Sequence, residues 1–104
     1  MKEAHLLCQP GDIAENVLLP GDPERVLRVA EELSQVKEIA FNREFRTITG
    51  NYQGLPVTVT STGIGGCSMG IAVEELTNCG AKNLIRIGSC GALQPKLKLG
   101  ELII

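Results

Sequence analysis

The stretch LIRIGSCGA, residues 84–92, decides the fold, because it predicts an apolar strand that runs into a glycine-rich turn. Arg86 stands inside this strand. A guanidinium buried among aliphatic side chains without a partner would destabilise the protein by several kcal/mol. We therefore expect an anion beside Arg86, with a structural salt bridge as the alternative to a bound ligand.

A second stretch, VLLPGDPER at residues 17–25, combines the same features. A short apolar strand leads into a tight glycine turn, and the helix that starts there carries Arg25 in its first turn. On its own, Arg25 would be interpreted as a solvated helix residue. Helix starts expose backbone N–H groups and arginine pairs with oxyanions, so the two stretches together predict a phosphate site.

Strands and helices alternate along the chain, without a linker or a repeat. Asp22 is a typical N-cap and Pro23 suits the first helical position. Gln53-Gly54 predicts the turn of a hairpin. The predicted strands cover residues 16–19, 36–41, 45–52, 55–61, 83–88 and 99–104, and the predicted helices cover residues 23–33 and 68–79. This alternation is typical of an α/β domain.

Length and composition limit the possible functions. A chain of 104 residues forms one domain at most. The net charge is −2 and the ten Lys and Arg residues are scattered, so we expect no nucleic-acid partner. No apolar run is long enough to cross a membrane, and the N-terminus lacks the apolar core of a signal peptide, so we expect a cytoplasmic location.

The four cysteines, Cys8, Cys67, Cys79 and Cys90, lie far apart, and His5 is the only histidine. This spacing predicts neither a metal site nor a disulfide framework. Cys79 is interpreted as a small core residue at a helix end. Cys90 has two interpretations, a nucleophile on a glycine turn or a small residue packed behind a phosphate loop, and we favour the second because no base lies near it in sequence.

The loop TGIGG, residues 62–66, lies between a predicted strand and a predicted helix. It lacks the third glycine or alanine of a dinucleotide-binding fingerprint, and no acidic residue follows about twenty positions later. We therefore expect neither a nicotinamide nor a flavin cofactor. Its glycines fit either a turn that requires positive φ angles or a backbone that approaches a ligand.

Four motifs together resemble the nucleoside phosphorylases of the hexameric purine nucleoside and uridine phosphorylase family. They are LLPGDPER at 18–25, NREF at 42–45, STGIGG at 61–66 with IAVEEL at 71–76, and RIGSCGA at 86–92. The motifs occur in the correct order over essentially the whole chain. The resemblance implies a three-layer α/β/α fold around a mixed, partly closed sheet. It also implies an enzyme that uses inorganic phosphate to cleave the N-glycosidic bond of a nucleoside, without a cofactor or a metal.

The resemblance also implies roles for individual residues. The phosphate-binding residues would be Gly21, Arg25, Arg43, Arg86 and Ser89. The nucleoside-binding residues would be His5, Thr62, Gly63, Cys90 and Gly91. In the family, the residues that match Arg43 and His5 reach the site of a neighbouring subunit, so a homo-oligomer is implied, a hexamer built from dimers.

These motifs do not decide the identity of the base in the nucleoside. STGIGG and REF resemble the uridine enzymes, whereas GSCGA and the short lead from His5 to Gly21 resemble the purine enzymes. The balance slightly favours uridine.

The final residues, ELII at 101–104, predict an apolar strand that nothing follows. Because such a strand needs neighbours to cover it, we expect residues 1–104 to be the N-terminal part of a single phosphorylase domain, apparently truncated, with the catalytic residues beyond Ile104. One alternative is a half-domain that binds phosphate or nucleoside without chemistry. The other is a non-functional product of a truncated frame.

Overall fold

Five strands form one mixed sheet in the computed structural model, which describes all 104 residues. The elements are β1 (Asn16–Leu19), α1 (Pro23–Ala30), β2 (Ser34–Asn42), β3 (Phe45–Tyr52), β4 (Leu55–Thr60), α2 (Gly66–Asn78) and β5 (Asn83–Arg86). In space the strands follow the order β2-β3-β4-β1-β5. β1 is parallel to both β4 and β5, whereas β2 pairs with β3 and β3 with β4 in antiparallel fashion.

The two helices pack on opposite faces of this sheet. Side chains of a strand alternate between its faces, so the contacts of β1 show which helix covers which face. In β1, Val17 and Leu19 lie in the buried cluster that includes Leu76 of α2. Leu18 packs on the other cluster, which includes Val26 of α1. The predicted α/β/α layering and the mixed sheet are therefore confirmed. The five strands form an open sheet rather than a partly closed one.

Local signals mark the start of α1 and the end of α2. Asp22 caps α1, since its Oδ1 accepts a hydrogen bond of 2.9 Å from the Glu24 N–H. The helix ends at Ala30, three residues before the predicted end. The N–H groups of residues 31–33 still bond to carbonyl oxygens of α1, and the chain then enters β2 at Ser34. Gly80, with φ +109°, follows the end of α2. Neither helix is long and apolar enough to cross a membrane.

The hairpin between β3 and β4 turns at Gln53 and Gly54, as predicted. Their φ angles are +48° and +82°. Positive φ at both central residues is the geometry of a two-residue type I′ turn, which matches the twist of the flanking strands. The prediction succeeded here because the turn signal lies within the turn itself.

Two predictions about the last third of the chain were wrong. β5 ends at Arg86 and lies at the edge of the sheet, so Arg86 is exposed rather than buried. The strand predicted at 99–104 is not formed, and residues 87–104 contain no helix or strand. A strand requires a neighbour for its backbone hydrogen bonds, and this segment has none. The apolar side chains of residues 102–104 are exposed as a result.

Candidate anion-binding site

A cleft of about 730 Å³ opens at the carboxyl ends of the parallel strands β1, β4 and β5. Ligands of open α/β sheets bind at this edge. The cleft is lined almost entirely by polar residues and glycines, and five of the predicted site residues are among them: Gly21, Arg25, Gly63, Arg86 and Ser89. A separate groove of about 420 Å³, beside α1 and β5, has a mainly apolar lining without any cationic side chain.

Two backbone hydrogen bonds hold the turns after β1 and β4 side by side. The Thr62 N–H donates to the Pro20 carbonyl oxygen, and the Gly63 N–H donates to the Gly21 carbonyl oxygen, both over 2.9 Å. Gly63 has φ +68°, and a Cβ atom at this position would lie 2.5 Å from Cγ of Glu44. The conformation and the space at residue 63 therefore both require glycine.

The guanidinium of Arg86 lies across the turn after β1. Its Nη1 donates to the Leu19 carbonyl oxygen over 3.1 Å and also to the Ile87 carbonyl oxygen. A Cβ atom at Gly21 would lie 3.3 Å from Nη2, so this glycine leaves room for the guanidinium. Two carbonyl groups orient the side chain, but no carboxylate neutralises it.

Arg25 approaches the cleft from the first turn of α1. Its Nη2 donates to Oγ of Ser89 over 3.4 Å, which connects the helix start to the segment after β5. The ion pairs of the chain are His5–Glu75, Arg46–Glu38 and Lys82–Glu15. Neither Arg25 nor Arg86 belongs to one, so the structural salt bridge considered for Arg86 is not formed.

Sequence reasoning missed two polar residues of the cleft, Glu44 and Ser68. Oγ of Ser68 lies 2.7 Å from Oε1 of Glu44 and 2.5 Å from the Thr62 carbonyl oxygen, and its one hydroxyl proton serves either acceptor. The hydrogen bond from Ser68 lowers the pKa of Glu44, so the carboxylate is charged at neutral pH. The signal was present, since Glu44 stands in the NREF motif.

Five predicted site residues do not line the cleft, and four of them are Arg43, Thr62, Cys90 and Gly91. Arg43 is exposed in the turn between β2 and β3, with φ +53°. Thr62 is buried, and its hydroxyl lies 3.4 Å from the Pro20 carbonyl oxygen. Cys90 and Gly91 are exposed beyond β5, so the interpretation of Cys90 as a packed residue was wrong. The ligand roles of these four residues stay predictions.

His5 is the fifth predicted site residue outside the cleft. It contacts Glu75, a residue of α2. Its Nδ1 lies 2.6 Å from Oε1 of Glu75, and the Leu6 N–H donates to Oε2 of the same carboxylate over 2.8 Å. Nδ2 of Asn42 donates to the His5 carbonyl oxygen over 2.7 Å. The N-terminal segment is therefore anchored to the fold at this point.

Glu75 is the residue that this anchor requires and that sequence reasoning missed. Only 6% of it is exposed. Burial raises the pKa of Glu75, but the hydrogen bonds from Leu6 and His5 outweigh it, so the pKa lies below its usual range. Position 75 shares the buried face of α2 with Ala72 and Leu76. An acidic residue on the apolar face of a helix was the signal.

The sheet and the cleft define an α/β protein that presents two arginines without ion pairs, together with glycine turns, at the carboxyl ends of its parallel strands. The sequence profile of the phosphorylase superfamily matches residues 15–104, and the chain belongs to this family. Over 100 residues it is 57% identical to the uridine phosphorylase of Thermococcus kodakarensis, covering 96% of this chain and 36% of that protein. It is 48% identical to the DeoD-type purine nucleoside phosphorylase of Caldanaerobacter subterraneus subsp. tengcongensis, covering 96% of this chain and 44% of that protein.

Solved structures of the same family share the fold. Uridine phosphorylase from Vibrio fischeri ES114 superposes with a TM-score of 0.94 at 45% identity, covering 96% of this chain and 42% of that one. Purine nucleoside phosphorylase from Toxoplasma gondii, in complex with immucillin-H, gives a TM-score of 0.89 at 41% identity, covering 91% and 38%. The resemblance stated from the motifs is confirmed, and the chain spans less than half the length of these relatives.

Proposed function

We propose that this chain provides the phosphate-binding part of a nucleoside phosphorylase. One observation carries the proposal: Arg25 and Arg86 line the same cleft, and neither forms an ion pair, although the carboxylates of Asp22 and Glu44 also line it. The backbone at Gly21 and the hydroxyl of Ser89 lie beside them. Two guanidinium groups with polar neighbours suit a small oxyanion, because charge-assisted hydrogen bonds to phosphate are among the strongest that a protein makes.

The proposed reaction needs what this cleft offers. A phosphate oxygen forms a bond to the anomeric carbon of the sugar while the N-glycosidic bond breaks, and the products are ribose 1-phosphate and the free base. Positive charge builds on the sugar as the base leaves with the bonding electrons. Arg25 and Arg86 would hold the phosphate in line with the anomeric carbon, which is catalysis by positioning and electrostatics. Phosphate is a substrate in this proposal, and no cofactor or metal takes part.

The nucleoside would lie next to the phosphate, bordered by Thr62, Gly63, Cys90 and Gly91. Gly63 already lines the cleft, and its backbone lies beside that of Gly21. We favour uridine as the nucleoside, with purine nucleosides as the alternative. The 57% identity to the Thermococcus kodakarensis uridine phosphorylase supports this preference.

We further propose that the enzyme is a cytoplasmic homo-oligomer, a hexamer built from dimers. Arg43 is exposed and belongs to no ion pair, so it is available to a phosphate in a neighbouring subunit. His5 is held at Nδ1 by Glu75, and its side chain is 40% exposed, which leaves Nε2 available to the sugar in a neighbouring subunit. Both residues lie outside the cleft of their own chain, as this assembly requires.

A chimera tests the catalytic part of the proposal. Residues 1–104 would replace the matching residues of the Thermococcus kodakarensis uridine phosphorylase, and phosphorolysis of uridine would be measured with and without Arg25→Ala or Arg86→Ala. We expect the KM for phosphate to rise about ten- to a hundredfold, because each lost contact is worth roughly 1.5–3 kcal/mol. The KM for uridine should change far less.

Arg28→Ala is the matched control, because Arg28 is an exposed arginine in the last turn of the same helix and does not line the cleft. It should leave both KM values unchanged. An equal rise of both KM values in the Arg25 and Arg86 variants would assign these arginines a structural role and contradict the proposal.

A further inference from the structure

Two buried thiols, Cys8 and Cys79, face each other in the core between the N-terminal segment and α2. Their Sγ atoms lie 3.4 Å apart, although 71 residues separate them in sequence. Cys8 is 0% exposed and Cys79 is 3% exposed, and both belong to the same apolar cluster. The other two cysteines, Cys67 and Cys90, are exposed.

Hydrogen bonds on both sides fix this pair. The Glu3 N–H donates to the Cys8 carbonyl oxygen over 2.7 Å, and Glu75 holds the Leu6 N–H two residues before Cys8. Cys79 is the C-cap of α2, and its N–H bonds to carbonyl oxygens of the last helical turn. The two side chains therefore meet because both backbones are held, and not by chance contact of loose segments.

We propose that Cys8 and Cys79 are a site of reversible oxidation that forms an intramolecular disulfide. A disulfide requires the sulfur atoms to approach to about 2.05 Å, so the two thiols need a relative shift of little more than 1 Å. Such a bond would join the N-terminal segment, which carries His5, covalently to α2. This inference does not depend on the proposed phosphorylase activity.

The oxidant in this proposal is a peroxide. One thiolate attacks the O–O bond of hydrogen peroxide, which gives a sulfenic acid and hydroxide; the second thiol then displaces the sulfenic oxygen as water. In total two thiols and one hydrogen peroxide give one disulfide and two waters, and the two electrons reduce the peroxide. Burial shields both thiols from peroxide and raises the pKa of each, so the reaction should be slow at neutral pH and faster in alkaline solution.

The bridge would stabilise the protein, because it closes a loop of about seventy residues in the unfolded chain. Closing a loop of this length lowers the conformational entropy of the unfolded chain and so makes unfolding less favourable. We expect the oxidised protein to have a Tm higher by on the order of 10 °C than the reduced protein. Dithiothreitol should reverse the change.

The experiment uses the 104-residue chain with Cys67→Ser and Cys90→Ser, so that only the buried pair can react. The protein is treated with hydrogen peroxide, unfolded, alkylated and analysed by mass spectrometry. The expected product has lost two hydrogens, takes up no alkylating agent and yields a peptide that links Cys8 to Cys79. Uptake of two alkyl groups, or oxygen added to either sulfur without a link, would overturn the proposal.

A thermal measurement provides a second, independent criterion. Cys8→Ala and Cys79→Ala, each in the same background, remove one partner and should abolish the peroxide-induced rise in Tm. A rise of similar size in either single-cysteine variant would also overturn the proposal, because no bridge can form there. Should an alanine variant fail to fold, the linked peptide of the parent protein still decides the question.

Discussion

The carboxylate of Glu75 and the guanidinium groups of Arg25 and Arg86 differ in how completely the chain satisfies them. Glu75 is buried and accepts hydrogen bonds from the Leu6 N–H and from both the N–H and the ring of His5. Arg25 and Arg86 meet a hydroxyl group and carbonyl oxygens, but no opposite charge. A charge that the chain satisfies serves the fold, whereas a charge that it leaves uncompensated is available to a ligand.

The largest effect on stability is expected at the satisfied site. Glu75→Ala should lower the free energy of unfolding by about 1–3 kcal/mol, because the Leu6 N–H would be left buried without an acceptor. Denaturant unfolding measures this change. Glu74→Ala is the control, since Glu74 is the exposed neighbour on α2 and should change stability by less than about 0.5 kcal/mol. An equal free energy of unfolding in the two variants would show that Glu75 has no structural role.

A smaller effect on stability is expected at Gly63, which lines the cleft. Gly63→Ala should lower the free energy of unfolding by about 1–2 kcal/mol, because φ is +68° and the new methyl group meets Glu44. Gly66→Ala, at the start of α2 where a Cβ meets nothing within 4 Å, is the control. In a Glu44→Ala background the cost of Gly63→Ala should shrink, and an unchanged cost would exclude the steric part of the explanation.

The smallest effect concerns pH. The pKa of Glu75 is lower in the folded chain than in the unfolded one, so its contribution to stability is present above the unfolded pKa, about 4.3, and is lost as pH falls through the folded pKa. Glu75→Gln should therefore reduce the slope of unfolding free energy against pH below about pH 4. Part of the slope should persist, because the pKa of Glu44 is also lowered. An identical slope in both proteins would show that Glu75 contributes nothing to it.

Features that depend on local chemistry could be predicted from the sequence. The cap at Asp22, the turn at Gln53-Gly54 and the end of α2 before Gly80 each carry their signal within a few residues. The cleft was also predictable in part, because the turns after parallel strands must meet at one edge of the sheet. The structure brings Arg25 and Arg86 to this edge, although Arg86 is exposed there rather than buried.

Features that depend on distant partners could not be predicted in this way. Glu75 meets His5 across 70 residues of sequence, and no local pattern encodes that pairing. The contact between Cys8 and Cys79 is equally remote. The strand predicted at 99–104 failed for the same physical reason, because a strand exists only where a neighbour accepts its hydrogen bonds.

Phosphate titration of the 104-residue chain, followed by NMR, measures whether Arg25 and Arg86 form an anion site. We expect saturable binding, with shifts of the Gly21, Gly63 and Ser89 amides, and an affinity at least about tenfold weaker in the Arg25→Ala/Arg86→Ala double variant. Arg28→Ala should bind as the parent does. Equal phosphate affinity in the double variant and the parent would show that Arg25 and Arg86 do not make the anion site.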